Sequence, residues 1–251
     1  MPLKFSIARS ITFWALSVSL FLPIAVHAQV ETSLPVTPGL HSLTLISANE
    51  PAVHYTISIP RNYSPSARVP LILALHFGVR GGDSAGAGGD VVKILIGPAL
   101  VELGAIVVAP DSIQGDWSSP ENERAVNALL DMVLARYSVD AAKLTVTGFS
   151  MGGAGAWHFA EKYPERFSAA IPVAGRPPAS VPGWRLPILA IHSNDDQVVP
   201  IGPTQTRIAE LQKSRVNAKL IELSGITHFQ TYRFIEGLRQ AVPWLREVWK
   251  H

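Results

Sequence analysis

The sequence contains no cysteine. That excludes disulfides, thiolate metal sites and a cysteine nucleophile in one stroke. Charge is sparse as well, with 16% of the 251 residues charged against 47% hydrophobic. No block of like charge marks a tail, and no internal repeat or linker divides the chain. The H-E-x-x-H spacing of a zinc site and the G-x-x-x-x-G-K-[ST] phosphate loop are both missing, so neither a metal nor a nucleotide cofactor is expected. The formal charge of +2 belongs to the first 28 residues. Without Lys4 and Arg9 the remainder carries 19 basic and 19 acidic residues, which leaves no basic field for nucleic acid.

What is present begins with a leader. Lys4 and Arg9 precede an apolar run, Ile11–Val26, and Val26-His27-Ala28 has the small-residue form of a cleavage site. The pattern is that of a signal peptide over 1–28, with Gln29 as the mature N-terminus and 29–251 as a single domain. Sixteen residues fall short of the roughly 20 that span a bilayer. The expectation is a secreted or periplasmic protein with no stable membrane anchor after cleavage; an uncleaved anchor is the alternative.

Beyond the leader, apolar runs alternate with helical stretches. Leu43–Ile46 and Val53–Ile59 read as an antiparallel pair. Leu71–Leu75, Ala105–Ala109, Leu144–Thr147 and Pro187–Ile191 read as buried strands, and Ala169–Val173 and Ala218–Leu223 as further strands. Helices are expected over Val91–Leu103, from Ser118-Ser119-Pro120-Glu121 to Tyr137, over Ala154–Lys162, Pro203–Ser214 and Tyr232–Trp249. His76–Asp90 reads as a glycine-rich loop. The alternation implies right-handed crossovers and an α/β fold, a mostly parallel central sheet with helices on both faces.

One stretch carries chemistry. Gly148-Phe149-Ser150-Met151-Gly152 is a G-x-S-x-G pentapeptide between a strand and a helix, the setting in which the serine is lifted on a strained turn as a nucleophile. A serine hydroxyl needs a base, and the base an orienting partner. Such groups collect beyond the carboxyl ends of parallel strands. Asp195 and Asp196 follow one expected strand and His228 follows the last, giving the chain order Ser, Asp, His. His192 reads as structural, and His41, His54, His158 and His251 receive no role.

Gly-Phe-Ser-Met-Gly-Gly, Asp-Gln-Val-Val-Pro and the late Thr-His resemble the small serine esterases of the α/β-hydrolase superfamily. The likeness is to the phospholipase/carboxylesterase, polyhydroxybutyrate-depolymerase-like and feruloyl-esterase-like groups, over about Pro70 to Trp249. The resemblance implies the α/β-hydrolase fold and a catalytic set of Ser150, Asp196 and His228. Asp196 is preferred to Asp195 because it falls on the catalytic position of the family's His-Gly-x-x-Asp-x-Val-Val-Pro loop. The oxyanion hole needs two N–H donors: Met151 supplies one, and Phe77 or Gly78 the other, Phe77 standing where relatives carry glycine. His76 is expected to brace that loop. Trp117 and Trp184 are candidate pocket residues. The implied activity is cleavage of a small-molecule or polymer carboxylic ester. A peptidase, a lactone hydrolase and a non-catalytic binding protein of the same fold are the competing readings.

Overall fold

A computed structural model describes residues 34–47 and 51–250. The leader read over 1–28 and His251 lie outside the described residues. Eight strands form one sheet in the order β1-β2-β4-β3-β5-β6-β7-β8. They are β1 (Gly39–Leu45), β2 (Val53–Ile59), β3 (Val69–Leu75), β4 (Ile106–Pro110), β5 (Val139–Phe149), β6 (Ala169–Val173), β7 (Ile188–Ser193) and β8 (Ala218–Leu223). β2 pairs antiparallel with both β1 and β4, and every other pairing is parallel. The mostly parallel sheet expected from the alternation is therefore present.

The two faces of the sheet are both covered, which is why its inner strands are apolar at successive positions and do not alternate. On β3, Leu71, Leu73 and Leu75 pack to one side with α3 (Pro120–Arg136), α4 (Met151–Lys162) and α5 (Gly202–Lys213). Ile72 and Ala74 pack to the other, against α1 (Ala87–Val91), α2 (Gly97–Leu100) and the closing pair α6 (Ile235–Arg239) and α7 (Ala241–Val248). α3 starts as its sequence demands. Ser119 caps it by accepting from the Asn122 N–H, Pro120 occupies the first turn, and Glu121 and Glu123 face the positive end of the dipole.

Several boundaries differ from the sequence reading, among them the start of β1, at Gly39 and not Leu43. The helix placed at Val91–Leu103 begins earlier, at Ala87, inside the stretch read as loop. Gly88 and Gly89 look like loop residues, but a Cβ on Gly88 would lie 2.3 Å from the Ala109 carbonyl oxygen. Glycine there lets the helix lie against β4. Inside the expected helix, Gly97-Pro98 is preceded by a π-helical turn, Val92–Ile96, closed by the Gly97 N–H on Val92 O. Pro98 has no N–H to donate, so the backbone widens just before it. β5 is 11 residues long because an irregularity in its pairing with β3 accommodates a polar lead-in before Leu144.

Candidate active site

β5 ends at Phe149 and α4 starts at Met151, so Ser150 is the whole of the connection. Its φ of 56° and ψ of −114° are a strained conformation for a residue with a Cβ. Three neighbours hold it there. Its N–H donates to Val173 O at 2.9 Å and its carbonyl accepts from Ala154 N–H at 2.9 Å. Gly152 lies so close to the end of β3 that a Cβ would sit 1.9 Å from Leu75 O, and one on Gly148 would meet Gly152 O at 2.4 Å. The glycines of the pentapeptide thus permit a backbone approach that no other residue allows.

The serine hydroxyl lies 2.7 Å from His228 Nε2, and His228 Nδ1 lies 2.7 Å from Asp196 Oδ2. A carboxylate only accepts, so the Nδ1–H donates to Asp196, and Nε2 is left to accept from the Ser150 O–H. Asp196 is fixed in turn: its Oδ1 accepts from the Val198 N–H at 2.9 Å and the Val199 N–H at 2.8 Å. Asp195 points elsewhere, accepting from Gly225 N–H at 2.6 Å. The geometry separates two adjacent carboxylates that the sequence could rank only by resemblance.

Asp196 and His228 stand on loops that are joined to each other. Ser193 Oγ donates to Ile226 O at 2.6 Å and Asn194 N–H donates to Leu223 O at 2.8 Å, while within the His228 loop Arg233 donates to Gly225 O at 2.6 Å. The imidazole is packed as well as bonded, with the Phe149 ring 5.2 Å away. His192 lies behind Asp196. Its Nε2–H donates to Val199 O at 2.8 Å, its Nδ1 accepts from Thr204 Oγ1 at 3.0 Å, and Nε2 is 3.5 Å from Asp196 Oδ2. Burial holds its pKa below the usual histidine range, so it serves this loop as a neutral ring.

Met151 is the first residue of α4, so its N–H has no acceptor within the helix and is available to an oxyanion. Gly78 lies across from it, its Cβ direction meeting Met151 Sδ at 3.9 Å. Phe77 is tied to the same wall by its ring, edge-on to Phe149 at 6.4 Å. The loop is braced by His76, fully buried, whose Nδ1–H donates to Phe77 O at 2.6 Å while Nε2 accepts from Ser112 N–H at 3.0 Å. Burial lowers its pKa too.

The two tryptophans part company. Trp117 is buried, donates to His76 O at 3.0 Å, and shares a cavity with Met151. Trp184 is a core residue: its ring packs edge-on to Trp157 at 5.4 Å and its Nε1–H donates to Leu186 O at 2.7 Å. It lines a different depression, with Ala160 and Pro164 near the far end of α4. The pocket role read for Trp184 is therefore withdrawn. His158 needs the opposite correction. The sequence shows no carboxylate near it, yet its Nε2 lies 2.6 Å from Glu123 Oε1. The two residues are 35 apart on different helices, and the one local hint is Lys162, a helical turn after His158 and also on Glu123.

The chain resembles several known proteins. Residues 109–233 match the dienelactone hydrolase family. Over 153 residues the chain is 31% identical to feruloyl esterase C of Emericella nidulans, covering 59% of this chain and 56% of that one. It is 29% identical over 143 residues to cutinase est1 of Thermobifida alba, covering 53% and 47% respectively. A crystal structure of a thermostable esterase superposes with a TM-score of 0.69 at 24% identity, over 83% of this chain and 62% of that one. The chain has the α/β-hydrolase fold. The chain spans about half the length of the curated relatives it matches. Among its described residues no group of histidines, aspartates and glutamates is arranged to hold a metal ion.

Proposed function

We propose that this α/β hydrolase is a serine esterase that cleaves carboxylic esters through an acyl-enzyme. The observation that supports this best is the hydrogen-bonded series Ser150–His228–Asp196. As Ser150 Oγ attacks the ester carbonyl, its proton passes to His228 Nε2, and Asp196 stabilises the imidazolium from the other side. The negative charge on the tetrahedral oxygen faces the Met151 N–H and a second N–H from Phe77 or Gly78. Collapse breaks the C–O bond to the alcohol, which leaves with the proton held on Nε2. Water then repeats the sequence, releasing the acid and restoring Ser150.

Exposed apolar residues flank the series in the chain: Val198 after Asp196, Phe229 after His228, and Tyr232 shortly beyond. They favour an ester with apolar parts, as the feruloyl esterase and cutinase relatives also do. The match to the dienelactone hydrolase family favours cyclic esters within the same chemistry. The leader completes the proposal: cleavage after Ala28 would deliver the enzyme to the periplasm or the medium, and intact-mass measurement of the protein from its host would show Gln29 at its start.

The test is hydrolysis of p-nitrophenyl acetate by wild type and Ser150→Ala, with labelling by a fluorophosphonate. Loss of the serine lowers kcat by about 10³-fold or more and abolishes labelling. A variant that keeps wild-type turnover refutes the proposal, and a wild type that neither turns over nor labels favours a binding protein.

A further inference from the structure

β8 is the last strand of the sheet, so one of its edges faces no neighbouring strand. Between that strand and α7 lies a cavity of about 530 Å³, within the roughly 300–1,000 Å³ of small-molecule sites. Ser150, Asp196 and His228 do not border it. One wall is a single helical stripe. Gln240 at the cap of α7, then Pro243, Trp244 and Glu247, recur at the three-and-four spacing that puts residues on one face. The facing wall is the sheet. Lys219 on β8 is the register partner of Leu189 on β7, and Ile221 follows on the same face of β8.

Two polar groups of this lining go unanswered within the chain. Trp244 is 6% exposed, and its Nε1–H is shielded from solvent without a hydrogen-bond partner among the described residues. A buried donor left unpaired is costly, and few are tolerated. Lys219 is the second. It forms no ion pair among the described residues. The acidic side chain on the lining, Glu247, is engaged by Lys250 at 3.0 Å. Lys219 is thus the unbalanced charge of the cavity.

An open strand edge also invites a further strand. Here the outward Ala218 carbonyl already accepts from Gln212 Nε2 at 3.0 Å, so backbone pairing along β8 is blocked where it would begin. A small molecule suits the cavity better. A donor in need of an acceptor and a cation in need of an anion, set among Leu189, Ile221 and Pro243, describe its chemistry. We propose that this cavity binds a monocarboxylate with an apolar body, its carboxylate taken by Lys219 Nζ and Trp244 Nε1–H and its hydrocarbon lying against Leu189, Ile221 and Pro243. The site is separate from the nucleophile and does not depend on the esterase reading.

The experiment is calorimetry with octanoate, and with octan-1-ol as the same body without the charge. Wild type is expected to bind octanoate with a Kd below about 1 mM and the alcohol at least about tenfold more weakly, the worth of a charge-assisted hydrogen bond. Lys219→Gln brings acid and alcohol to within about twofold of each other by weakening the acid. Trp244→Phe keeps a ring and removes the donor, and weakens octanoate about fivefold. Gln240→Trp fills the cavity from its rim and weakens octanoate at least about tenfold. Lys219 and Gln240 are both exposed, so their variants fold, and thermal unfolding checks that they do. Octanoate that does not bind at about 1 mM, acid and alcohol bound equally by wild type, or a Kd unmoved by Lys219→Gln and Gln240→Trp overturns the proposal. No step needs turnover, so the outcome is read apart from that of the Ser150→Ala test.

Discussion

Replacing Asp196 by Asn tests the whole site with a change of one atom. The backbone N–H groups of Val198 and Val199 both bind Oδ1, so the asparagine is expected to keep its carbonyl there. Its NH₂ then replaces Oδ2, 2.7 Å from His228 Nδ1. An amide NH₂ donates, so Nδ1 must accept, and the ring proton moves to Nε2. Nε2–H cannot take the Ser150 proton. The loss combines a charge-assisted hydrogen bond with the stabilisation of the imidazolium. A 10³–10⁴-fold fall in kcat, about 4–5.5 kcal/mol of barrier, is the expected scale. Because the two backbone bonds survive, urea unfolding should shift by no more than about 1–2 kcal/mol. Asp195→Asn is the control: Asp195 accepts from Gly225 N–H, and its variant should keep kcat within about threefold while losing roughly 1 kcal/mol. Initial rates on p-nitrophenyl acetate, beside denaturation curves, decide the matter. Asp196→Asn retaining more than a tenth of kcat, or a folded Asp195→Asn losing a hundredfold, would refute the reasoning.

Gly152→Ala places a methyl 1.9 Å from Leu75 O; it should cost about 3 kcal/mol or more, a fall of about 6–12 °C in thermal midpoint for a chain of this size. Gly202→Ala, with no atom within 4 Å of the added methyl, should move it by no more than about 2 °C. Ser119→Ala removes the cap that accepts from Asn122 N–H at 3.3 Å and should cost about 1 kcal/mol in urea. Stability should fall with acid in a window set by His76 and His192. Both are held below the usual pKa by burial, so the unfolded chain binds protons first as pH drops below about 6.5. Their full contribution is present above that pH and is lost as pH falls towards their folded values. His192→Asn should flatten the slope of the thermal midpoint between pH 6.5 and 5.5, and an unchanged slope would count against a neutral buried ring.

β6 and β8 run over the residues read as strands, because each is short and bounded on both sides by breaks in pattern. The start of α1 was hidden, since Gly88 and Gly89 answer to the approach of β4 and carry no helical signal of their own. Ser150, Asp196 and His228 could be found because each sits at the end of a readable strand. Glu123 and His158 could not: their contact is made only when α3 and α4 lie side by side. Trp184 misled for a related reason. Its proline- and glycine-rich surroundings read as exposed loop, whereas the bond to Leu186 O and the face of Trp157 draw it into the core.

The hydrogen bonds from Ser193, Asn194, Asp195 and Asp196 that reach across to the His228 loop make the two loops a cassette. A shift of one loop should carry the other with it and so keep carboxylate and imidazole together. Redesign for new esters is thus best kept off both loops and directed to the segment around Pro177, which borders the Met151 cavity from outside the cassette.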